Sequence, residues 1–371
     1  MTGKAVPAPS SQVLLRPDPT TREQAAQLQF AEGARLFLTR DMGPRVKREF
    51  QHLLRAVPGV ESGTVALAEV ADRMRRRPVV SAYHRLARSV QEMIWSTTSR
   101  SLRQQQDALL AELEASDAVG PGTVAWDPDF TYPDYLAGEF HLQAGGYTGT
   151  PLAGHIYHLG GNVFHGGLND TAEGNATIVA SVPLPPEGPV DRVLELACSV
   201  GLSTVPLKER LPDAEVWAID VSAPMVRYAH KRAAEAGLEI HFRQMLAEDL
   251  VFPDGHFDLV FVHILFHELP ASVTRQVLRE VYRVLRPGGL FAVSDIRNES
   301  ETPPGSERII AEYNFEWQAG NNGERYQPDF YRSDFTRALG EVGFSSVEAA
   351  WSGNDGAWQP NLSLPLRVAV K

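Results

Sequence analysis

The chain has 371 residues, of which 43% are hydrophobic, and its formal net charge is -11 at pH 7. This length predicts more than one domain, because single domains usually run to roughly 100–200 residues. The acidic balance disfavours nucleic acid and anionic membranes as partners, since both attract basic surfaces.

Cysteine content and hydropathy indicate the compartment. The single cysteine, Cys198, cannot form an intrachain disulfide. The first residues lack the apolar core of a signal peptide, and no run reaches the roughly 18–20 apolar residues of a membrane span. We therefore expect a soluble, cytoplasmic protein that binds neither membranes nor nucleic acid.

The first third of the chain predicts a tail followed by a helical domain. Residues 1–20 are rich in Pro, Ser and Thr, and we expect them to form a flexible tail. Within 21–118, apolar residues recur at helical spacing. One such stripe consists of Val46, Phe50, Leu53, Leu54 and Val57. We expect a mainly helical N-terminal domain that caps the site or forms a homodimer through its helices.

Residues 119–190 are rich in Gly, His and aromatic residues. Such stretches rarely build regular core and tend to line clefts, so we expect a connecting segment that closes over a substrate. Tyr147 and His141 are its leading candidates for substrate contact. His155 and His158 are further candidates, with satisfied structural histidines as the alternative. With His165 they lack the carboxylate or Cys spacing that would support a metal site.

From residue 191 to 371, strand and helix patterns alternate. Strand patterns lie at 193–197, 215–219, 240–244, 257–262, 290–294, 346–350 and 366–370. Helical patterns lie between them, at 222–236, 271–285 and 332–342. This alternation predicts an α/β domain with a mostly parallel sheet and helices on both faces.

The strongest motif is at 193–201, where a strand pattern ends in a turn of small residues and a helix follows. Small residues let the backbone approach a nucleotide-like ligand closely. The next strand ends in Asp220, an acidic residue placed to accept hydrogen bonds from two ribose hydroxyls. Taken alone, this pattern also fits a dinucleotide site with a degraded Gly-x-Gly-x-x-Gly.

Two further segments distinguish a dinucleotide site from a site for another nucleotide-like ligand. Residues 247–260 run Ala-Glu-Asp-Leu-Val-Phe-Pro-Asp-Gly-His-Phe-Asp-Leu-Val, and residues 284–290 run Val-Leu-Arg-Pro-Gly-Gly-Leu. With Glu195 inside the first strand, they make the chain resemble the class I S-adenosylmethionine-dependent methyltransferases. The resemblance covers about residues 190–350 and is greatest to the bacterial small-molecule branch similar to quinone-biosynthesis methyltransferases. It implies a Rossmann-like, seven-stranded methyltransferase domain over 191–371.

The resemblance also implies a cofactor, S-adenosyl-L-methionine, with S-adenosyl-L-homocysteine as product. It would place the turn beneath the methionine part, Asp220 at the ribose and His263 near the sulfur. The implied cofactor-binding residues are Glu195, Ala197, Ser199, Gly201, Asp220, Val221, Leu246, Ala247, Glu248 and His263. Ala197 and Ser199 stand where glycine is usual, and Leu246 stands where an acidic residue is usual.

Histidines after the fourth strand of this domain are the candidates for catalysis. We expect His267 to be a general base near the transferring methyl, with an imidazole that titrates near neutral pH. A structural polar pair with Glu268 is the alternative. His263 and His141 are further catalytic candidates. No metal is expected, because residues four apart converge only on a helix and the sulfonium already supplies an activated electrophile.

The acceptor is expected to be a small, apolar or aromatic metabolite, with carbon and oxygen methylation both open. The substrate candidates are Tyr147, His155, His158, Tyr313, Trp317 and Asn321. A binding protein without catalysis is an alternative, because Ala197, Ser199 and Leu246 depart from the family pattern. A nicotinamide-dependent oxidoreductase is less well supported, since a full glycine motif and a Tyr-x-x-x-Lys are both missing.

Overall fold

A computed structural model describes residues 21–60, 67–167, 173–185, 188–352 and 364–371. The predicted tail at 1–20 lies outside the described residues. The N-terminal helices are α1 (Arg22–Phe37), continued by a π-helical turn (Leu38–Met42), α2 (Gly43–Arg55), α3 (Leu67–Arg75), α4 (Pro78–Arg103) and α5 (Gln106–Ser116). The region is therefore helical, as expected. Among the described helices, none combines the length and apolarity needed to cross a bilayer.

One sheet organises the rest of the chain. Its strands are β1 (Thr123–Ala125), β2 (Arg192–Leu196), β3 (Glu215–Asp220), β4 (His241–Gln244), β5 (Phe257–His263), β6 (Leu285–Ser294), β7 (Ser345–Ser352) and β8 (Leu364–Val370). Their order is β1-β4-β3-β2-β5-β6-β8-β7. Pairing is parallel from β1 to β6, and β8 is antiparallel to both of its neighbours. The predicted seven-stranded α/β domain is confirmed for β2–β8, and β1 adds an eighth strand at the edge.

Helices cover both faces of the sheet, because its central strands are apolar on both sides. One face packs against α7 (Glu173–Ser181), α8 (Thr204–Arg210) and α9 (Ala223–Glu235). The other packs against α10 (Ala271–Val284) and α13 (Phe335–Val342). The predicted helix at 332–342 is divided, since α12 (Gln327–Arg332) ends at an extended Ser333 and the Asp334 side chain caps α13.

The segment at 119–190 is more regular than its composition predicts. It supplies β1 to the sheet and forms α6 (Ala153–Phe164), most of whose residues are buried. A Cβ at Gly154 would lie 2.7 Å from Tyr228 Cβ in α9, and one at Gly160 would lie 2.3 Å from the Trp95 ring in α4. The expectation of a segment without regular core is therefore wrong here, because the glycines serve close helix packing.

A second helix also joins the two halves of the chain. The last long insertion before β7 forms α11 (Ser306–Asn321), whose Ile309 and Tyr313 are buried among residues of the N-terminal helices. The ring of Tyr313 meets that of Phe50 in α2 edge-on, with centroids 4.7 Å apart. The carboxyl ends of the strands therefore face a wall built from both halves of the chain.

Candidate active site

The turn after β2 has an unusual backbone. Ala197, Ser199 and Gly201 have φ angles of 52°, 49° and 76°, which all lie in the left-handed region that favours glycine. The Ser199 backbone N–H donates a hydrogen bond to Asp220 Oδ2 over 3.0 Å. The turn predicted to lie beneath the cofactor is thus tied to the end of the neighbouring strand β3.

Asp220 ends β3 with both carboxylate oxygens bonded to backbone. Its Oδ1 accepts from the Ser222 N–H over 2.9 Å, and burial raises its pKa to about 6. The side chain of Ser222, not that of Asp220, caps α9 by accepting from the Met225 N–H. A cap is therefore not the role of Asp220, and each oxygen keeps a lone pair for a further donor.

Glu195 is buried in β2 beside the same turn. Its Oε1 accepts from the Ser203 hydroxyl, and its Oε2 is buried without a hydrogen-bond partner. Burial raises the pKa of this carboxyl to about 7. A buried carboxylate oxygen without a partner is costly. The site therefore fits a ligand that brings a cationic donor to Oε2.

The segment after β1 covers the residues predicted to border an adenine. Gln244 donates to the Val221 carbonyl over 3.1 Å and to the Tyr132 hydroxyl over 3.3 Å. The Tyr135 hydroxyl donates to Glu248 Oε1 over 2.7 Å. Leu246 and Ala247 follow β4 and are half-buried. A cavity of about 320 Å³ opens beside this cover and is lined by Tyr132, Pro133, Asp134, Leu136, Ala137, Gly138, Glu139, Gly145, Thr148 and Gly149.

A second set of polar residues gathers beyond the carboxyl end of β5. His267 Nδ1 lies 2.6 Å from Asp295 Oδ1, and both residues are buried. Burial lowers the pKa of His267, but the carboxylates of Asp295, Glu268 and Glu324 together outweigh burial and raise it to about 9. The expectation that His267 titrates near neutral pH is wrong, because the sequence did not show Asp295 beside it.

Glu268 continues this network toward the N-terminal half. It lies 2.9 Å from His141 Nε2, while the other ring nitrogen of His141 contacts Glu324. Burial opposes charge on His141, but Glu324 and Glu268 raise its pKa well above the usual value. We call His141, Glu268, Glu324, His267 and Asp295 the His141 cluster. Within it, His141, Glu268 and Glu324 have ligand atoms within 4.8 Å of one another.

His263 ends β5, as expected, and is half-buried. Burial lowers its pKa to about 4, and its Nδ1 is buried without a hydrogen-bond partner. His263 is therefore a neutral imidazole at physiological pH. Such a group is a weak base, but it can contact a ligand without adding charge.

Aromatic residues connect the turn with the His141 cluster. The Tyr147 ring stacks on Phe140 at 5.2 Å and meets Tyr157 edge-on at 5.9 Å. The Tyr147 hydroxyl donates to Glu268 over 3.4 Å, and the Ser199 side chain lies near the Tyr157 hydroxyl. The structure thus brings the two leading substrate candidates, Tyr147 and His141, to the same place.

Five other substrate candidates have different surroundings. His158 Nδ1 is hydrogen-bonded to the Tyr228 hydroxyl over 2.8 Å, and the His155 ring lies 4.4 Å from that of Tyr228. Trp317 stacks on His84, with centroids 4.7 Å apart. Tyr313 packs on Phe50, and Asn321 donates to the carbonyl of Trp317. The ring contacts join different helices, whereas the bond of Asn321 lies within α11.

Three members of this site were not among the sequence candidates: Asp295, Glu324 and Tyr157. Asp295 directly follows β6, just as Asp220 ends β3. An acidic residue at a strand end could therefore have marked Asp295 as a site candidate. Glu324 lies three residues after the substrate candidate Asn321. Tyr157 had no sequence signal of its own, because it lies between the candidates His155 and His158.

The turn after β2 and Asp220 at the end of β3 lie in a segment that matches a known protein family. Residues 193–289 match the family described as a methyltransferase domain. The chain therefore carries a methyltransferase domain that includes these residues. Its strand order and this match together confirm the class I resemblance.

Curated relatives match only part of this chain. Demethylmenaquinone methyltransferase of Thermus thermophilus is 40% identical over 113 residues, which are 30% of this chain and 50% of the relative. Trans-aconitate 2-methyltransferase of an Azoarcus species is 33% identical over 150 residues, 40% of this chain and 53% of the relative. The chain spans about half the length of these curated relatives. A solved SAM-dependent methyltransferase from Aquifex aeolicus aligns at 20% identity over 48% of this chain and 81% of that chain, with a TM-score of 0.34.

Proposed function

We propose that the chain binds S-adenosyl-L-methionine across the carboxyl ends of β2, β3 and β4 and transfers its methyl group to a small molecule. The observation that carries this proposal is the left-handed turn at Ala197–Gly201, bonded to Asp220 at the end of β3. The names of two relatives refer to demethylmenaquinone and trans-aconitate. These names support a small organic acceptor.

The residues on this edge fit the cofactor part by part. The unpartnered Oε2 of Glu195 would accept from its amino group, and Asp220 would accept from its ribose hydroxyls. Val221, Ala247 and Glu248 would border the adenine beneath the cover formed by Tyr132 and Tyr135. When bound, the cofactor supplies a methyl group on a positively charged sulfur, which is already an electrophile.

The acceptor would lie between the aromatic residues and the His141 cluster. Phe140, Tyr147 and Tyr157 exclude water from this space, which strengthens the electrostatic interactions inside it. His267, held by Asp295, would take up the proton that an acceptor hydroxyl or acidic carbon loses, and it would do so in its neutral form, whose share grows as the pH approaches its pKa of about 9. An apolar or aromatic acceptor fits these walls, and carbon and oxygen methylation both remain compatible with them.

The cofactor assignment is tested by Asp220→Ala. Hydrogen bonds to a charged group are worth about 1.5–3 kcal/mol each, so the loss of Asp220 should weaken S-adenosylmethionine binding at least roughly tenfold. Calorimetric titration measures the affinity. Asp213→Ala is the control, because Asp213 is exposed in the loop before β3. Equal affinities for the wild type and Asp220→Ala would remove Asp220 from the site.

Catalysis is tested by His267→Ala, which distinguishes an enzyme from a protein that only binds the cofactor. Turnover is measured as S-adenosylhomocysteine formed with the best acceptor from a screen of small aromatic and apolar metabolites. We expect it to fall about a hundred- to ten-thousand-fold, the usual contribution of acid–base groups, with cofactor affinity unchanged. His230→Ala is the matched control, because His230 is an equally buried histidine on α9. It should lower the melting temperature while the folded fraction keeps its rate. A full-rate His267→Ala protein would refute the base assignment.

A further inference from the structure

Three potential metal ligands converge from separate parts of the chain at the His141 cluster. His141 comes from the segment before α6, Glu268 from the turn after β5, and Glu324 from the loop after α11. One imidazole nitrogen and two carboxylate oxygens lie within 4.8 Å of one another. From this geometry we propose that His141, Glu268 and Glu324 bind one divalent metal ion.

Charge and burial at these residues support a cation. The side chains of Glu268 and Glu324 are only 13% and 7% exposed. Within the described part of the chain, their ionic partners are the histidines His141 and His267, and no Lys or Arg pairs with either carboxylate. Buried carboxylates are normally paired with a cation or bound to a metal. Asp295 adds a third carboxylate beside His267, so acidic groups outnumber the histidines that oppose them.

Polar groups outside the trio contact the two carboxylates and hold the backbone of His141. The buried Gln91 side chain of α4 donates to the His141 carbonyl over 2.8 Å. The Gln327 amide donates to Oε2 of Glu324 over 2.8 Å, which leaves Oε1 to face His141. The Tyr147 hydroxyl contacts Glu268 over 3.4 Å. Metal ligands are usually held in this way by outer hydrogen bonds.

The two loops that carry His141 and Glu324 also touch through their backbones. Gly323 has a φ of 77°, and a Cβ there would lie 2.9 Å from the Glu139 carbonyl oxygen and 3.3 Å from the His141 nitrogen. Only glycine allows this approach without a shift of the backbone. The loops are therefore held together directly beside the proposed ligands.

The donor set indicates which ions fit. One imidazole with two carboxylates suits Mn²⁺, Fe²⁺ or Zn²⁺, since imidazole favours the transition metals and carboxylates favour harder ions. The imidazole now contacts both carboxylates. Metal binding would require the ring to turn, so that one nitrogen releases its proton to solvent and shares the ion with the two carboxylates. Three protein ligands leave positions for water or for an oxygen of a substrate.

A role in methyl transfer rests on the proposed function. The metal would bind an oxygen of the acceptor and hold it beside the expected position of the methyl group, so the acceptor would be an oxygen-bearing molecule. Metal binding itself does not depend on the cofactor, so it can be measured separately.

The test is calorimetric titration of the full, chelator-treated chain with MnCl₂ and with ZnCl₂, without cofactor. We expect one ion per chain. Loss of an outer hydrogen bond already costs about 10–100-fold in metal affinity, so Glu324→Gln and Glu268→Gln should each cost at least about 100-fold. Glu316→Gln is the matched control, because Glu316 lies on α11 and its side chain is 45% exposed. It should bind as the wild type does.

Circular dichroism and S-adenosylmethionine titration of the same samples show whether each variant is folded. The proposal is overturned if the wild type binds neither ion, or if folded Glu324→Gln binds the ion as tightly as the wild type. Intact cofactor binding without metal binding would contradict only the metal site. Metal binding without cofactor binding would contradict only the proposed function.

Discussion

At the scale of single residues, the turn after β2 holds two side chains in conformations that glycine adopts more easily. Ala197 and Ser199 have φ angles near +50°, where the Cβ atom crowds the carbonyl oxygen. This conformation is maintained by surrounding bonds, including the one from the Ser199 N–H to Asp220. Strained backbone of this kind concentrates at ligand sites. The small side chains of Ala197 and Ser199 keep the turn open to a ligand.

We expect Ala197→Gly to stabilise the fold. The left-handed conformation costs an alanine about 1–2 kcal/mol, and glycine removes this cost. Glycine also makes the unfolded chain more flexible, which destabilises the fold by roughly 0.5–1 kcal/mol. The free energy of unfolding should therefore rise by about 0.5–1 kcal/mol, as measured by urea denaturation. Ala218→Gly, at a buried position in β3, is the control and should be destabilising. A lower stability for Ala197→Gly would show that the turn adopts another conformation in solution.

At the scale of elements, β1 fixes the cover over the predicted adenine site. This three-residue strand pairs in parallel with β4, from Thr123 opposite His241 to Ala125 opposite Arg243. The chain that follows is bonded to Gln244 at the end of β4, through the Asp127 N–H over 3.0 Å. Edge pairing thus brings Tyr132 and Tyr135 over the strand ends, so the cover is a continuation of the sheet.

We expect Tyr135→Phe to loosen this cover. The change removes the hydroxyl that donates to Glu248 over 2.7 Å, and a bond to a charged acceptor contributes about 1.5–3 kcal/mol. S-adenosylmethionine should therefore dissociate roughly tenfold faster or more, as followed by stopped-flow fluorescence. Tyr282→Phe is the control, because Tyr282 packs on Phe344 at the other end of the domain. Equal dissociation rates for both variants would argue against a cover at Tyr135.

At the scale of the whole molecule, the helical half and the methyltransferase domain are joined at several points. Helix α6 packs against α1 and α4 on one side and against α9 on the other. Arg227 of α9 forms a 2.8 Å ion pair with Asp117, just after α5, and its guanidinium lies 4.7 Å from the centroid of the Trp126 ring. Helix α4 also reaches the site, where the Gln91 side chain donates to the His141 carbonyl. The domain boundaries at 118 and 190, and a homodimer through these helices, stay predictions.

Local sequence patterns were enough to predict the strand–turn–helix at 193–201, Asp220 at the end of the next strand, and the α/β class. Each of these depends on residues close together in the chain, and their dihedral preferences and hydrophobic periodicity are local properties. The same local information placed His263 at the end of β5 and His267 in the turn after it.

Contacts between side chains from distant segments could not be predicted from such local patterns. His141, Glu268 and Glu324 belong to three distant segments, and no local pattern encodes their contact. The pKa of His267 depends on Asp295, which comes from a different strand end. The glycines of α6 resemble loop signals until Trp95 and Tyr228 are seen packed against them. Contacts between distant segments are set by packing, because burial and charge pairing depend on the assembled fold rather than on neighbouring residues.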